Sequence, residues 1–99
     1  MTLFKLSVKA KSDLKEIARY TNLKWGKAQR NRYIQELDAC FVFIAQNPDT
    51  GISCNEIKQG YFKHSHGSHV IFYLKNKNQH VFISRILHKR MDYLTNINT

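Results

Sequence analysis

The stretch HVIFYLKNKNQHVFISRILH, residues 69–88, decides the fold. Side chains in 69–74 and again in 81–88 divide into two alternating sets, the two-residue period of a β-strand. The polar run 75–79 between them predicts a hairpin loop. Because both alternating sets are largely apolar, we expect one face of the sheet to pack on helices. The chain end or a partner must then cover the other face.

Two helical patterns precede this hairpin. In the first, 10–21, apolar residues recur at helical spacing, and Ser7 is a candidate N-cap. The second pattern, 27–46, stops at Asn47-Pro48, where proline removes a backbone donor and clashes with the preceding turn. The junction Trp25-Gly26 predicts an antiparallel helical hairpin, because glycine permits a sharp change of direction. Trp25 is expected to fill the corner between the helices.

Shorter segments complete the predicted fold. A first strand is expected at 3–8 and another at 61–64, which a tight connection at 66–68 joins to the central hairpin. Residues 49–51 read as a turn. The tail is polar from Thr95 and is predicted to fray.

The charge balance limits the possible partners. The chain has 99 residues with 16 Lys and Arg against 7 Asp and Glu, a net charge of +9. A chain of this length is expected to form one domain, 1–99. It has no apolar run long enough for a membrane span and no secretory pattern at its start, so we expect a cytoplasmic protein without membrane contact. The charge favours an anionic partner, although it also serves solubility alone.

The cysteines and the clustered histidines do not predict a metal site. Cys40 and Cys54 lack CxxC spacing, and Cys40 falls in the apolar stripe of the second helix. We therefore expect no disulfide between them. His64, His66 and His69 have no cysteine or carboxylate pattern that would complete a zinc site. Neither a metal nor another cofactor is expected.

A dense group of cationic and titratable side chains ends the last strand: Arg85, His88, Lys89 and Arg90. Histidine acts as a general acid or base near neutral pH, and arginine binds phosphate in a bidentate manner. Such a pair would suit cleavage of RNA through its 2′-hydroxyl group. The alternative is a structural cluster, in which Arg85 pairs with a carboxylate such as Asp92.

Several segments, in this order, resemble the ParE toxins of the RelE/ParE superfamily of bacterial toxin–antitoxin systems. They are Trp25–Gln29, Asn47–Gly51, Gly67–Tyr73, Arg85–His88 and Met91–Asp92. The likeness covers nearly the whole chain. It implies an α+β fold with an N-terminal strand, an antiparallel helical hairpin on a mostly antiparallel sheet, and a short C-terminal segment.

The resemblance also implies a function. ParE-like toxins are not enzymes; they trap DNA gyrase on cleaved DNA, block replication, and are neutralised in a hetero-oligomer by a ParD-like antitoxin from a neighbouring gene. The target-facing residues would be Arg85, His88, Lys89, Arg90 and Trp25. Apolar positions would hold the antitoxin, namely Leu14, Ile17, Tyr33, Leu37, Phe72 and Ile83. An acidic, folding-on-binding segment would explain both the uncovered sheet face and the positive charge.

Two other functions stay open. RelE-like relatives are ribosome-dependent mRNA endonucleases that use basic, His and Tyr residues, for which Arg85, His88, Lys63, Tyr93 and His64 are the candidates. Against this, Val70 stands where those nucleases tend to carry arginine, and the match around Arg85–His88 is to the ParE pattern. A basic nucleic-acid-binding domain would explain the charge through phosphate contacts, but it would leave the apolar face unexplained.

Overall fold

A computed structural model describes residues 4–76, 78, 80–91 and 93–97, which form a five-stranded sheet and three helices. The elements are β1 (Phe4–Leu6), α1 (Val8–Trp25), α2 (Lys27–Gln46), β2 (Ile52–Ser53), β3 (Phe62–His66), β4 (His69–Lys75), β5 (Val81–His88) and α3 (Tyr93–Ile97). The strand order is β1-β5-β4-β3-β2. Only β1 and β5 are parallel, so the predicted α+β fold with a mostly antiparallel sheet is confirmed.

The two long helices form the predicted hairpin through a single connecting residue. Ser7 Oγ accepts a hydrogen bond from Ala10 N at 2.9 Å and caps α1 as expected. Gly26 links the helices with φ of 93°, a conformation that favours glycine. The prediction that Trp25 fills the corner is wrong, because its side chain is 64% exposed. A one-residue connection leaves no corner to fill.

The inner face of the sheet packs against both helices and forms the larger core. Leu37, Phe41 and Ile44 of α2 are buried against Ile71 of β4 and Ile83 of β5. A register shift between Phe72 and Tyr73 of β4 interrupts the pairing with β5. The helical spacing and the two-residue strand period in the sequence predict this packing of helices on a sheet.

The outer face of the sheet is covered by the chain itself. Val70, Phe72 and Leu87 on this face are buried by residues of the 54–61 segment and of α3, namely Cys54, Tyr61, Ile97 and the partly buried Ile57 and Tyr93. The prediction of a frayed tail is therefore wrong for Thr95–Ile97, which are helical. Leaving this apolar face in water would cost more free energy than ordering one helical turn. The covered face thus needs no antitoxin to explain it.

The element boundaries differ from the expectations in small ways. The predicted first strand is shorter, because the chain turns into α1 at Val8, and Leu3 lies outside the described residues. The two-residue strand β2 follows the predicted turn and is too short to show a period. Lys77 and Gln79 of the predicted hairpin loop also lie outside the described residues. Among the described helices, none is long and apolar enough to cross a membrane.

We expect Ile97→Ala to lower the free energy of unfolding by about 2 kcal/mol, because it removes buried apolar atoms that hold α3 on the sheet. Urea denaturation of the purified chain measures the change. The matched control is Leu23→Ala, which shortens a side chain that is 73% exposed on α1. That control should change the stability by less than about 0.5 kcal/mol. Equal effects of the two variants would contradict the buried position of Ile97.

Candidate interaction surface

The side chain of Arg85, in the second half of β5, is held by an ion pair. Its Nε and Nη2 donate to Asp13 Oδ2 and Oδ1 of α1 at 2.8 and 3.0 Å, a bidentate arrangement. The Arg85 and Asp13 side chains are 13% and 15% exposed. This carboxylate therefore ties the first helix directly to the last strand.

The same ion pair reaches two further backbone groups. Ile86 N donates to Asp13 Oδ2 at 3.0 Å, and Arg85 Nη1 donates to the carbonyl oxygen of Asn96 in α3 at 2.5 Å. The hydrogen bonds with Asp13 hold the pKa of the Arg85 guanidinium above its ordinary value, against the opposing effect of burial. The alternative of a structural ion pair is thus the one that the structure adopts, with Asp13 as the carboxylate. Asp92 lies outside the described residues.

The structure places Arg85, which was predicted to face a target, in a hydrogen-bond network within the chain. The Nε, Nη1 and Nη2 groups of Arg85 all donate hydrogen bonds within the chain, and little of its side chain is exposed. A target could contact it only by displacing a paired, largely buried carboxylate. Arg85 instead positions the end of β5, from which His88, Lys89 and Arg90 follow.

A second group of polar side chains lies where β4 begins and β5 ends. The hydroxyl of Tyr33 is 2.7 Å from His69 Nδ1 and also accepts from Ser68 N at 3.2 Å. The rings of His69 and His88 meet edge to face, with centroids 5.3 Å apart. Gly67 (φ 55°) allows this approach, because a Cβ there would crowd the Tyr33 hydroxyl. Tyr33 therefore holds the β3–β4 turn against α2.

His69 is neutral at pH 7. Burial lowers the pKa of its imidazole to about 4, and the nearby His88 ring adds to the shift. Burial likewise lowers the pKa of His64. A neutral His69 bonded to a tyrosine hydroxyl has no charge to offer a phosphate group.

A groove of about 420 Å³ runs between α1 and the end of β5. We call it the α1–β5 groove, and its lining residues are Asp13, Glu16, Ile17, Tyr20, Thr21, His69, Ile86, His88 and Met91. The nearly buried Ile17 and Ile86 form its floor, while Tyr20 and Met91 are 57% and 48% exposed. Large apolar side chains this exposed beside a groove are typical of an interaction surface.

The rim of this groove carries aromatic and cationic side chains. Lys24 Nζ is 3.3 Å from the Tyr20 hydroxyl and lies over both the Tyr20 and the Trp25 rings, at 5.7 and 5.4 Å from their centroids. Lys89 and Arg90, exposed in the turn after β5, directly precede Met91 of the groove lining. Lys24 connects the exposed Trp25 ring to Tyr20, which also lines the groove.

The residues predicted to hold an antitoxin are mostly interior. Ile17, Leu37, Phe72 and Ile83 are between 0% and 7% exposed. Leu14 is partly buried against the inner core, and Tyr33 is engaged with the β3–β4 turn. These side chains hold the chain itself together, because the alternating pattern marks apolar faces without saying what covers them. Of the six, only Ile17 lines the groove.

Three of the candidates for a nuclease site lie around Phe72 of β4. Lys63 of β3 and Arg85 of β5 flank Phe72 in register, and the Tyr93 ring packs on Phe72. The clustered histidines have separate partners. His66 Nε2 lies 2.9 Å from Glu36 Oε1, and His64 contacts the Phe43 ring, away from His88. Over the part of the chain that the structure describes, no group of three or more His, Cys, Asp or Glu side chains is placed to hold a metal ion. Cys40 and Cys54 are free thiols.

Sequence reasoning missed three residues of the surface. Asp13 is one of seven scattered acidic residues, and nothing in its neighbourhood in the sequence points to Arg85, 72 positions away. Tyr20 and Met91 are apolar residues that fall outside the apolar positions of the predicted helices and strands. A large apolar residue at such a position could have indicated an exposed interaction surface. Both become informative only once the helix and the strand are seen side by side.

Comparison with known proteins identifies the family. The family model described as "ParE toxin of type II toxin-antitoxin system, parDE" matches residues 4–93. The chain belongs to the ParE toxin family. It is 39% identical over 92 residues to Toxin ParE1 of Mycobacterium tuberculosis (strain CDC 1551 / Oshkosh), covering 93% of this chain and 94% of the relative.

Further relatives agree with this assignment. Toxin ParE of Escherichia coli is 31% identical over 97 residues, covering 98% of this chain and 94% of the relative. A solved structure titled "Chromosomal ParDE TA system from P. aeruginosa" matches the fold with a TM-score of 0.74 at 18% identity, covering 89% of this chain and 96% of that one. The resemblance seen in the sequence is confirmed, and the protein is a ParE-family toxin.

The ion pair should contribute far more to the stability of this ParE-family toxin than an exposed pair does. We expect Asp13→Asn to lower the free energy of unfolding by about 2 kcal/mol, because Arg85 then keeps its charge without a counterion. The double variant Asp13→Asn, Arg85→Gln should lose less than the sum of its parts. Glu16→Gln removes the exposed Glu16–Arg19 pair and serves as the control. If Asp13→Asn and Glu16→Gln lowered the urea midpoint equally, the result would contradict this role.

The stability of the toxin should fall as the pH drops from about 6.5 to about 4. In this window the unfolded chain protonates His69 while the folded chain does not, so protons favour unfolding. The expected loss is on the order of 1–3 kcal/mol, with His64 adding in the same direction. Urea midpoints measured across this range test it. His69→Gln should flatten the profile and the exposed His80→Gln should not; identical slopes for the two variants would refute the assignment.

Proposed function

We propose that this ParE-family toxin inhibits DNA gyrase by binding to the gyrase–DNA complex, in the cytoplasm, and that a ParD-like antitoxin neutralises it. The observation that carries the proposal is the rim of the α1–β5 groove. Tyr20 and Met91 line the groove and are exposed, Lys24 lies over the Tyr20 and Trp25 rings, and Lys89 and Arg90 directly precede Met91 in the chain. Neither Lys89 nor Arg90 has an ion pair to an acidic side chain among the described residues. Aromatic residues and arginine dominate the binding energy of protein interfaces.

The positions of the polar residues favour a binding mode over chemistry. Arg85 is paired with Asp13, and His69 is neutral and bonded to Tyr33, so neither is poised for phosphate chemistry. A general acid–base pair needs both groups within reach of one reacting atom. We therefore propose that the toxin holds its target in one state rather than cutting a nucleic acid.

Within this proposal the two sides of the groove have different tasks. Lys89 and Arg90 supply the positive field that draws the toxin toward DNA or acidic protein, which raises the association rate more than the affinity. Trp25, ordered by Lys24, is an anchor that resists dissociation once it is desolvated. His88 is part of the groove lining.

The test is a supercoiling assay with purified gyrase. We expect the toxin to cause accumulation of cleaved DNA, and the pair Lys89→Glu, Arg90→Glu to raise the required toxin concentration about tenfold. Lys9→Glu with Lys15→Glu is the matched control, because it alters the net charge equally at exposed positions of α1. Equal losses in both double variants would mean that only total charge matters, not the end of β5.

Two other outcomes would replace the proposal. If gyrase is unaffected and mRNA on programmed ribosomes is cut, the toxin acts as a RelE-type nuclease. If the protein neither stops gyrase nor cuts mRNA but binds naked DNA with a steep salt dependence, it is a basic nucleic-acid-binding domain.

A further inference from the structure

We propose that the tip of the helical hairpin binds an unpaired stretch of DNA. The hairpin tip is the segment 20–32, where α1 ends and α2 begins. The indole of Trp25 would stack on a base, while Lys27 and Arg30 would contact the phosphates beside it. This inference rests on the proposed function and adds which component of the gyrase–DNA complex the toxin meets at this end of the molecule.

Trp25 exposes a large aromatic surface at the hairpin tip. Its side chain is 64% exposed at the last position of α1, and Leu23 is 73% exposed. Gly26 alone joins the two helices, and a one-residue connection is too short to fold over these side chains. An exposed aromatic ring is the group on which the bases of a single strand stack. Bases inside a duplex are already stacked on one another, so we expect the strand to be unpaired.

Lys24 restricts the Trp25 ring before any ligand binds. Its Nζ lies 5.4 Å from the centroid of the Trp25 ring and 5.7 Å from the centroid of the Tyr20 ring. A side chain that is already ordered loses less conformational entropy on binding, which favours the complex. A base would stack on the ring face opposite Lys24, and the ammonium group would remain beside the strand as a counterion to its phosphates.

The charges of the hairpin tip select an anionic ligand. The segment 20–32 contains no acidic residue and four cationic ones, namely Lys24, Lys27, Arg30 and Arg32. None of the four forms an ion pair with an acidic side chain of the described residues. Glu16, the nearest acidic residue before the tip, is already paired with Arg19. Phosphate groups would therefore meet cations that no carboxylate of the chain neutralises.

Lys27 and Arg30 are poorly placed to stabilise the fold itself. Both lie in the first turn of α2, where a positive charge opposes the helix dipole. Arg30 Nε and Nη2 donate to Asn31 Oδ1 at 3.1 Å, and this neutral acceptor leaves the guanidinium charge uncompensated. Phosphates of a bound strand would supply the compensation that the chain does not.

The amide side chains of the tip favour a nucleic acid over a membrane surface. Tryptophan together with lysine is also typical of proteins at an anionic lipid interface. Asn22 and Asn31, however, are exposed among these residues, and burying their amides in hydrocarbon without hydrogen-bond partners would cost free energy. Base edges offer such amides both donors and acceptors.

The experiment uses the intrinsic fluorescence of the toxin, because Trp25 is the only tryptophan in the sequence. Purified toxin is titrated with an oligothymidylate of about 16 nucleotides, long enough for the usual sites of single-strand binders. We expect stacking to quench the Trp25 emission, with an affinity that falls as salt rises. Vesicles of phosphatidylserine and phosphatidylcholine in equal parts test the membrane, and they should leave the emission unchanged.

Variants separate the stacking from the charges, with a labelled oligothymidylate reporting binding by fluorescence anisotropy. We expect Trp25→Leu to weaken binding about tenfold and Trp25→Phe to keep most of it, because only phenylalanine retains an aromatic ring. Lys27→Gln with Arg30→Gln should lower the slope of log affinity against log salt by about 1.4, the value for two lost phosphate contacts on a single strand.

Lys9→Gln with Lys11→Gln is the matched control for the charges. Both lysines are exposed in the first turn of α1, and residues 5–15 around them include no aromatic residue. This pair removes the same net charge, yet the salt slope should stay close to that of the parent. Circular dichroism melts check that each variant is folded, and loss of Lys27 and Arg30 should not lower the melting temperature.

Four results would overturn the inference. Two concern the variants: Trp25→Leu binds the oligothymidylate as tightly as the parent, or the two double variants lower the salt slope equally. The other two concern the ligand: the Trp25 emission responds to vesicles and not to oligothymidylate, or it responds to oligouridylate and not to oligothymidylate.

Gyrase cleavage assays on the same variants distinguish this inference from the proposed function. A toxin that spares gyrase but binds the oligothymidylate through Trp25 supports the DNA site and refutes the proposed target. A toxin that traps gyrase on cleaved DNA equally well with Trp25→Leu, and that does not bind the oligothymidylate, retains the proposed function and overturns the inference.

Discussion

The carboxylate of Asp13 is the constraint on which the rest of the structure depends. It accepts hydrogen bonds from two guanidinium nitrogens of Arg85 and from the backbone of Ile86, and Arg85 in turn reaches α3 through Asn96. One half-turn of α1, the end of β5 and the terminal helix are thereby fixed together. A pair this far out of water is favourable only when its remaining donors are satisfied, which these extra bonds achieve.

The Asp13–Arg85 ion pair also positions the residues that follow β5. With β5 anchored at Arg85, the chain leaves the sheet at His88, and Lys89 and Arg90 follow in an exposed turn. The gap between helix and strand becomes the α1–β5 groove. The outer sheet face, by contrast, is already covered by α3 and the 54–61 segment.

Periodicity predicted the bounds of the helices and of the central strands well. The strict alternation expected over 81–88 is wrong, because the register shift between β4 and β5 puts Ile83 and Ile86 in the inner core and Leu87 in the outer one. α2 ends at Gln46, before Asn47-Pro48, and β5 covers the predicted 81–88. The same reasoning wrongly predicted a buried Trp25 and a frayed tail. The exposure of a side chain at a one-residue turn and the burial of a short terminal helix both depend on residues that are distant in the sequence. For the site it named Arg85 and His88 but did not find the partner of Arg85, Asp13, or the groove residue Tyr20.

The sequence by itself determined the family, the α+β fold, the excess of positive charge and the dense cationic end of the last strand. These features are local in the chain or follow from the order of motifs. Only the tertiary structure decided that Arg85 links α1 to β5, that the chain itself covers the outer sheet face, and that Tyr20 and Met91 line one groove with Asp13 and His88. The physical reason is that such contacts join residues as far as 73 positions apart in the sequence, and no local pattern records that they meet.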